Sequence, residues 1–334
     1  MRTLSTLTAA LFAGALCAAQ AYAAAPPKLA VTGQIAGPDG GWDYLSFDPV
    51  HRRLYVSRTD GVMAIDVDTG KVTPKLVDAQ RTHMAVPANR GDDLVITSTT
   101  AGAALIADAV TGKVRATIKT GTKPDGAFLE PSSGLVWVLD NAGAGIALID
   151  AKAGTKVATI AVPGALESAA MDGQGKVFIN VEDKNEIAVV DVKARKLIAH
   201  YPLAGCEEPN GLAYGEGRLV ASCTNNVAKV VDPKDGKVLA TLPIGPRPDT
   251  ALYDPARKLV YVPTAGDAKL TLISPGQAKV VGVVATHTGA RSQALDPKSG
   301  ALYLPAADYA PPAQAGGRPT PVPGTFRILK VTSN

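Results

Sequence analysis

A unit of about 40 residues recurs along almost the whole chain, and this repeat constrains the fold more than any other feature. Its clearest part is a short apolar run that ends in aspartate and is followed by turn residues. The aspartates lie 41 or 42 residues apart, at Asp66, Asp108, Asp150, Asp191 and Asp232. Short apolar runs separated by turns at this period are typical of a β-propeller, in which each repeat forms one four-stranded blade.

The number of repeats predicts the number of blades. The innermost strand of the first blade includes Tyr44, and equivalent strands begin near Met84, Gly126, Ser168, Gly211, Thr250 and Ser292. We therefore predict an all-β, seven-bladed propeller. The last repeat ends after its third strand, whereas residues 28–35 form an additional strand before the first blade. We predict that this N-terminal strand completes the last blade and covers two strand edges.

The first 23 residues have the pattern of an export signal. Arg2 supplies a positive start, residues 7–19 are apolar, and Ala21-Tyr22-Ala23 matches an Ala-x-Ala cleavage site. The apolar run is too short to anchor the chain in a membrane. We predict cleavage after Ala23 and a single propeller domain over residues 24–334. The mature protein would then be a soluble monomer without a membrane span, periplasmic or secreted.

Two cysteines remain after the predicted cleavage, Cys206 and Cys223. Because exported proteins fold under oxidising conditions, we expect a disulfide in preference to two free buried thiols. The net charge is +4, and acidic and basic residues are interspersed. The absence of a concentrated Lys/Arg block argues against a dedicated nucleic-acid surface.

Ligands of propellers bind where loops from all blades meet at the mouth of the central channel. The residue before each innermost strand is therefore the position to compare between repeats. By sequence alignment these residues are Asp43, Thr82, Asp125, Glu167, Asn210, Asp249 and Arg291. Two further side chains are expected at the same opening, Arg58 and His83.

We predict a polar ligand site at this mouth. Its candidate residues are Asp43, Arg58, His83, Asp125, Glu167, Asn210, Asp249 and Arg291. Carboxylate and amide oxygens suit a hard divalent cation such as Ca²⁺. The alternative is that the acidic residues only accept hydrogen bonds from nearby backbone N–H groups in turns. Arg291 is the expected partner of Glu167 or Asp249.

Histidines offer a second metal hypothesis. His83 and His287 are both expected near the mouth, where they would form a zinc or copper site with a neighbouring aspartate. The alternative is that both are structural. His51 and His200 are expected in an opposite-face turn and an outer strand. The Pro/Gly-rich segment 309–324 replaces a short connection in the last blade and is either a lid or partner-docking element, or a tolerated insertion.

The strand segments Leu259–Thr264 and Arg53–Ser57, with the Asp-x-x-Thr-Gly-Lys-Val turn, resemble the YVTN-type repeat proteins. This group includes the YncE-like periplasmic propellers. The resemblance implies a seven-bladed propeller, and it implies single-stranded DNA as a candidate partner because a YncE-like protein has been assigned that activity. The residues available for such binding would be Arg58, Arg291, Trp42 and Tyr44.

Three functions follow from these observations. The first is a binding or interaction protein that holds a small ligand, a metal ion or a periplasmic protein at the mouth. The second is a lactonase-like hydrolase or a lyase, with a metal ion on Asp43, Glu167, Asn210 and Asp249 and with a carboxylate or His83 as base. The third is single-stranded DNA binding, implied by the resemblance alone.

Overall fold

The computed structural model describes residues 28–143, 145–311 and 319–333. The predicted export signal, residues 1–23, lies outside the described residues. Seven four-stranded antiparallel sheets follow one another along the chain and form the blades of a β-propeller. The predicted all-β, seven-bladed fold is thus confirmed. No helix in the described part is long and apolar enough to cross a bilayer.

The first three blades use consecutive strands, from the channel outwards. Blade 1 contains β2 (Trp42–Asp48), β3 (Arg53–Arg58), β4 (Gly61–Asp66) and β5 (Val72–Asp78). Blade 2 contains β6 (Thr82–Ala88), β7 (Asp93–Ser98), β8 (Ala103–Asp108) and β9 (Val114–Lys119). Blade 3 contains β10 (Pro124–Glu130), β11 (Leu135–Asp140), β12 (Gly145–Asp150) and β13 (Thr155–Ile160).

The next three blades follow the same plan. Blade 4 contains β14 (Leu166–Met171), β15 (Lys176–Val181), β16 (Glu186–Asp191) and β17 (Lys196–Pro202). Blade 5 contains β18 (Pro209–Gly215), β19 (Arg218–Cys223), β20 (Val227–Val231) and β21 (Val238–Pro243). Blade 6 contains β22 (Leu252–Asp254), β23 (Leu259–Thr264), β24 (Lys269–Ser274) and β25 (Lys279–Ala285). Two 3-10 turns span Asn89–Gly91 and Glu182–Lys184.

The seventh blade closes the ring with both ends of the described chain. Its strands, from the channel outwards, are β26 (Ala294–Leu295), β27 (Leu302–Ala306), β30 (Arg327–Ser333) and β1 (Leu29–Ala36). The outermost strand β1 pairs antiparallel with β30, from Leu29 opposite Ser333 to Ala36 opposite Arg327. The predicted closure is confirmed. Between β27 and β30, a short hairpin pairs β28 (Tyr309–Ala310) with β29 (Thr320–Pro321).

The hydrophobic core lies between neighbouring blades. In β3, Tyr55 packs toward blade 2, whereas Leu54 and Val56 pack toward blade 7. Both faces of the middle strands are therefore buried, and these strands read as continuous apolar runs instead of alternating polar and apolar residues. This pattern explains why the repeat is so clear in the sequence.

The periodic aspartates are structural. The Oδ1 atom of Asp66 accepts hydrogen bonds from the backbone N–H groups of Asp68 (3.1 Å) and Thr69 (2.8 Å). Asp108 binds the N–H groups of Val110 and Thr111 in the same way. These contacts satisfy the turn between the third and fourth strands of a blade. The strongest periodic signal in the sequence thus reports turn geometry and not a ligand site.

Cys206 and Cys223 form the predicted disulfide. Their sulfur atoms are 2.06 Å apart and their Cα atoms 5.4 Å apart. The bond fixes the loop before β18 to the end of β19. A closed loop of this length contributes about 3 kcal/mol in the chain-entropy model. A disulfide agrees with export to an oxidising compartment, although the compartment itself stays a prediction.

Candidate functional site

A β-bulge interrupts the innermost strand of five blades next to the channel mouth. In blade 1 the pairing of β2 with β3 shifts between Trp42 and Leu45, and blades 2 to 5 shift at the equivalent point. A bulge removes residues from the strand pairing and redirects their side chains. The first residues within the five bulges are Asp43, His83, Asp125, Glu167 and Asn210.

The last two blades present equivalent residues without a formal bulge. The regular pairing of their innermost strands starts at Leu252 and Ala294, after Asp249 and Arg291. One residue from each blade thus forms a ring, here called the mouth ring: Asp43, His83, Asp125, Glu167, Asn210, Asp249 and Arg291. All seven line a single cavity of about 980 Å³.

The sequence alignment was wrong by one residue in blade 2. Thr82 pairs with Ser98 inside the strand ladder, and its hydroxyl lies 2.7 Å from the carbonyl oxygen of Gly61. His83 occupies the ring position instead. In blades 3, 5 and 6 a proline stands immediately before the ring residue. Blade 2 lacks that marker, as do blades 1, 4 and 7.

Arg58 does not line the cavity, so its predicted place at the mouth is wrong. The residue is 3% exposed. Its guanidinium donates a hydrogen bond to the carbonyl oxygen of Pro38 (2.7 Å) and lies 4.1 Å from the centroid of the Phe326 ring. Packing under the loop before β2 is favoured because the cation meets both a carbonyl and an aromatic face.

The group considered for DNA binding is not an exposed surface. Tyr44 and Arg58 are buried. Arg291 lies 3.6 Å from Asp249, and Trp42 packs against other aromatic rings at the mouth. Single-stranded nucleic acid binds to open basic grooves with accessible aromatic faces. DNA binding through these four residues stays a prediction from the resemblance.

The closest cluster of ligand-type atoms contains Asp43, His83 and Asp125. The Nδ1 atom of His83 lies 2.6 Å from Oδ2 of Asp43 and 3.5 Å from Oδ1 of Asp125. One potential ligand atom from each residue falls within 4.8 Å of the others. On the far side of the imidazole, Nε2 lies 2.7 Å from the hydroxyl of Thr99. The Nδ1 atom therefore points between two carboxylates.

This cluster perturbs the protonation of its members. Burial lowers the pKa of His83, but the hydrogen bond with Asp43 and the charges of Asp125 and Asp43 outweigh it, so that pKa is raised. Burial raises the pKa of Asp125 to about 6, although His83 opposes this effect. The imidazole of His83 therefore retains its proton to a higher pH than an isolated histidine does, beside carboxylates that water cannot fully solvate.

Backbone contacts between blades hold the ring residues in place. The hydroxyl of Thr97 in blade 2 donates to the carbonyl oxygen of Asp125 in blade 3 (2.7 Å). The hydroxyl of Ser292 in blade 7 donates to the carbonyl oxygen of Asp43 in blade 1 (2.8 Å). Two of the clustered carboxylates are thus positioned by rigid neighbouring strands, which favours a defined site over a mobile one.

On the opposite side of the mouth ring, the carboxyl group of Glu167 is held by hydrogen bonds within the protein. Glu167 accepts hydrogen bonds from the Tyr44 hydroxyl (2.5 Å) and the Asn141 amide (3.0 Å). Burial and the charges of Asp125 and Glu182 raise its pKa well above the ordinary value. The carboxyl group of Glu167 therefore retains its proton to a higher pH than an exposed glutamate does, and it is already engaged within the protein.

Glu167 and Asp249 were the two expected partners of Arg291. The structure shows the pairing with Asp249. Its Oδ2 atom lies 3.6 Å from Nε of Arg291 and has no hydrogen-bond partner among the described residues. Burial raises the pKa of Asp249 to about 7, because it outweighs the attraction of Arg291, and Asp43 and Asp125 add to the rise. The carboxyl group titrates near physiological pH.

Asn210 is structural. Its amide donates to the carbonyl oxygen of Pro248 (2.7 Å), and its Oδ1 accepts from Gly211 N–H (2.8 Å) and the Ser222 hydroxyl (2.8 Å). With Glu167 also engaged, two members of the set proposed for Ca²⁺ are unavailable. Within the described ranges, the one group of three close metal-ligand residues is the cluster of Asp43, His83 and Asp125.

The other histidines lie outside the mouth cavity. His287 contacts Asp308 at 3.0 Å and does not join His83, so the predicted two-histidine site is wrong. His51 pairs with Asp48, and His200 pairs with Glu186. These three are held by neighbouring carboxylates, as the structural alternative predicted.

The sequence alone did not reveal a second tier of residues above the mouth ring. Arg81, Lys123 and Arg247 also line the cavity. Each precedes a ring residue by two positions, and this constant spacing was the available signal. Tyr309, Pro319 and Pro321 bring the described ends of the Pro/Gly-rich segment to the same cavity.

Comparisons with known proteins support the fold. No protein-family model matches the sequence, and a search of curated proteins finds no match. A solved structure described as Kuenenia stuttgartiensis hydrazine synthase is similar, with a TM-score of 0.70 and 16% sequence identity. The match covers 82% of this chain and 95% of that chain. At this identity it shows a shared propeller fold alone, and the YVTN-type family stays a resemblance.

Proposed function

We propose that this protein binds a divalent first-row transition-metal ion at the channel mouth, through Asp43, His83 and Asp125. The observation that carries the proposal is the convergence of three ligand-type side chains from three consecutive blades. The three residues lie about 40 positions apart in the sequence. The ring of blades therefore brings them together, and a local turn does not.

The distances support metal coordination. Ligand atoms that are bound to zinc lie about 2.0–2.2 Å from the ion, and such atoms are then about 3–3.5 Å from one another. The three side chains already lie within 4.8 Å of one another. A contraction on the order of 1 Å would complete the site.

The contacts of His83 favour the required tautomer. When Nε2 donates its proton to the Thr99 hydroxyl, Nδ1 is left with a free lone pair. Second partners of this kind orient metal-binding histidines and raise their basicity. In the ion-free protein a proton on Nδ1 compensates the two carboxylates, and a metal ion would take over that role.

The donor set selects the class of ion. One imidazole nitrogen with two carboxylate oxygens suits zinc and its first-row neighbours, whereas Ca²⁺ and Mg²⁺ prefer oxygen ligands alone. Three protein ligands leave at least one coordination position that faces the cavity. The site is thus suited to holding an ion that also contacts a second molecule.

Calorimetric titration with Zn²⁺ tests the proposal, using the chain from residue 24 after dialysis against a chelator. We expect one ion per chain, bound with a dissociation constant in the micromolar range or below. His83→Ala is expected to weaken binding at least 100-fold, because it removes the one nitrogen ligand. His287→Ala is the matched control and should bind zinc as the parent does. Equal binding by His83→Ala and the parent would refute the site.

A metal-assisted hydrolase of the lactonase-like type is the second candidate function. The observation in its favour is that Asp249, with a pKa of about 7, lines the same cavity as the metal cluster. A carboxyl group that titrates near neutral pH is suited to general acid–base catalysis. We expect the zinc-loaded protein to open simple lactones and Asp249→Asn to lose this activity. If the zinc-loaded parent opens lactones no faster than His83→Ala does, this candidate function is refuted.

A further inference from the structure

The cationic residues above the mouth ring occupy equivalent places in their blades. Here the cationic tier means Arg81, Lys123 and Arg247. Each carbonyl oxygen of the tier accepts a hydrogen bond from the residue that follows the second strand of its blade. The donors are the N–H groups of Thr99 (3.2 Å), Asn141 (2.9 Å) and Ala265 (3.1 Å). The tier is thus a repeated feature of the propeller, set directly above the ring.

Two members of the tier have free charges. Within residues 28–143, 145–311 and 319–333, the guanidinium groups of Arg81 and Arg247 make no ion pair and no side-chain hydrogen bond. The ammonium group of Lys123 donates to Asn141 (2.6 Å) and lies 3.9 Å from Asp125. By contrast, Arg52 is held by two carboxylates elsewhere in the ring of blades. The tier therefore offers donors to a ligand.

Six acidic residues line the cavity, Glu182 and Glu208 among them, yet within the described ranges none of them forms an ion pair with Arg81 or Arg247. A divalent ion neutralises the carboxylates of Asp43 and Asp125, and the coordinating imidazole of His83 is neutral. The remaining coordination positions and the cationic tier then both favour anionic oxygen atoms. Arginine suits carboxylates in particular, since its planar donor groups match two carboxylate oxygens at once.

The cavity has room for more than an ion. Its volume of about 980 Å³ falls at the upper end of the range found for small-molecule sites, roughly 300–1,000 Å³. A bare ion with a few waters would leave most of this space to solvent. A ligand with several carboxylates would fill it and reach both tiers.

We infer that the mouth binds a metal–polycarboxylate complex, in which a small organic acid coordinates the ion held by Asp43, His83 and Asp125 and places its free carboxylates against Arg81, Lys123 and Arg247. This inference rests on the metal site proposed above. It assigns the mouth ring to the ion and the cationic tier to the acid, so ion binding and acid binding can be tested separately.

The experiment uses Co²⁺ as the ion, because its visible absorption reports changes in coordination, and propane-1,2,3-tricarboxylate as the acid. Addition of the acid to the cobalt-loaded protein is expected to change the spectrum saturably. Arg81→Gln with Arg247→Gln should bind cobalt within threefold of the parent and bind the acid at least tenfold more weakly. The trimethyl ester of the acid and the polyamine spermidine should leave the spectrum unchanged.

Arg90→Gln with Arg195→Gln is the matched control. These arginines lie in turns at the opposite ends of the strands, and all four arginines have left-handed backbone conformations, with φ from 48° to 60°. The control pair should therefore bind the acid as the parent does. Cobalt binding without any response to the acid, or equal acid binding by the mouth pair and the parent, overturns the inference and leaves the metal site intact. No cobalt binding at all refutes the metal site and the inference together.

Discussion

A chain that begins at residue 37 is expected to lose the whole propeller and not one strand of it. The deletion removes β1, which pairs with β30 from Leu29 to Ala36. It also removes Leu29 from the core between blades 6 and 7 and Ile35 from the core between blades 7 and 1. Because each blade is stabilised mainly by its two neighbours, an open seventh blade weakens the complete ring.

The expected loss exceeds about 5 kcal/mol, which is comparable to the whole stability of many domains. Urea unfolding followed by circular dichroism measures it, with the chain from residue 24 as reference. A synthetic peptide of residues 28–36 added in trans should restore part of the stability, and a peptide with the same composition in scrambled order should not. A truncated chain that unfolds at the same urea concentration as the reference contradicts the closure described here.

Replacing Asp249 by Asn is expected to stabilise the protein at pH 8 and to have little effect at pH 4. The carboxyl group of the unfolded chain loses its proton near pH 4, whereas the folded protein retains it up to about pH 7. Between these values the folded state binds more protons, so the free energy of unfolding falls as the pH rises. Asparagine avoids the buried charge altogether.

The size of this effect follows from the pKa difference. A shift from 3.8 to about 7 corresponds to about 4 kcal/mol above pH 7, at 1.36 kcal/mol for each pKa unit. The loss of a counter-charge for Arg291 offsets part of it, so we expect about 2–4 kcal/mol from urea unfolding at several pH values. Asp78→Asn, at a highly exposed aspartate, serves as the control. A gain for Asp249→Asn that is the same at pH 4 and pH 8 would show that the pKa of Asp249 does not change on folding, which contradicts this prediction.

The sequence was sufficient to predict the fold because turn chemistry repeats with the blades. Asp66 and its equivalents bind turn N–H groups wherever the third strand of a blade ends, and they therefore keep their spacing. The closing strand and the disulfide were also predictable, since residues 28–35 and the pair of Cys206 and Cys223 had no other partners.

The mouth was only partly predictable. Six ring residues were placed correctly, but the seventh was taken as Thr82 instead of His83. Thr82 and His83 are adjacent polar residues in the sequence, and only the strand pairing, in which Thr82 lies opposite Ser98, distinguishes them. The choice matters because the proposed site takes its one nitrogen ligand from His83, and a nitrogen ligand favours a transition metal over calcium.

Side-chain direction explains the remaining differences. Arg58 ends a strand near the mouth, yet its side chain turns away to Phe326, a contact across the closing blade that no local pattern reveals. Arg81 and Arg247 were overlooked because they lie outside the positions that were compared between repeats. Their place above the ring becomes clear only when each blade is aligned by its hydrogen bonds.

Crystals of the chain from residue 24, soaked in a low concentration of zinc and measured on both sides of the zinc absorption edge, test the central claim most directly. The account predicts one strong anomalous peak at the channel mouth, within about 2.2 Å of Nδ1 of His83 and of a carboxylate oxygen of both Asp43 and Asp125. Zinc bound elsewhere, with His83 still paired to Asp43 through a proton, would contradict it.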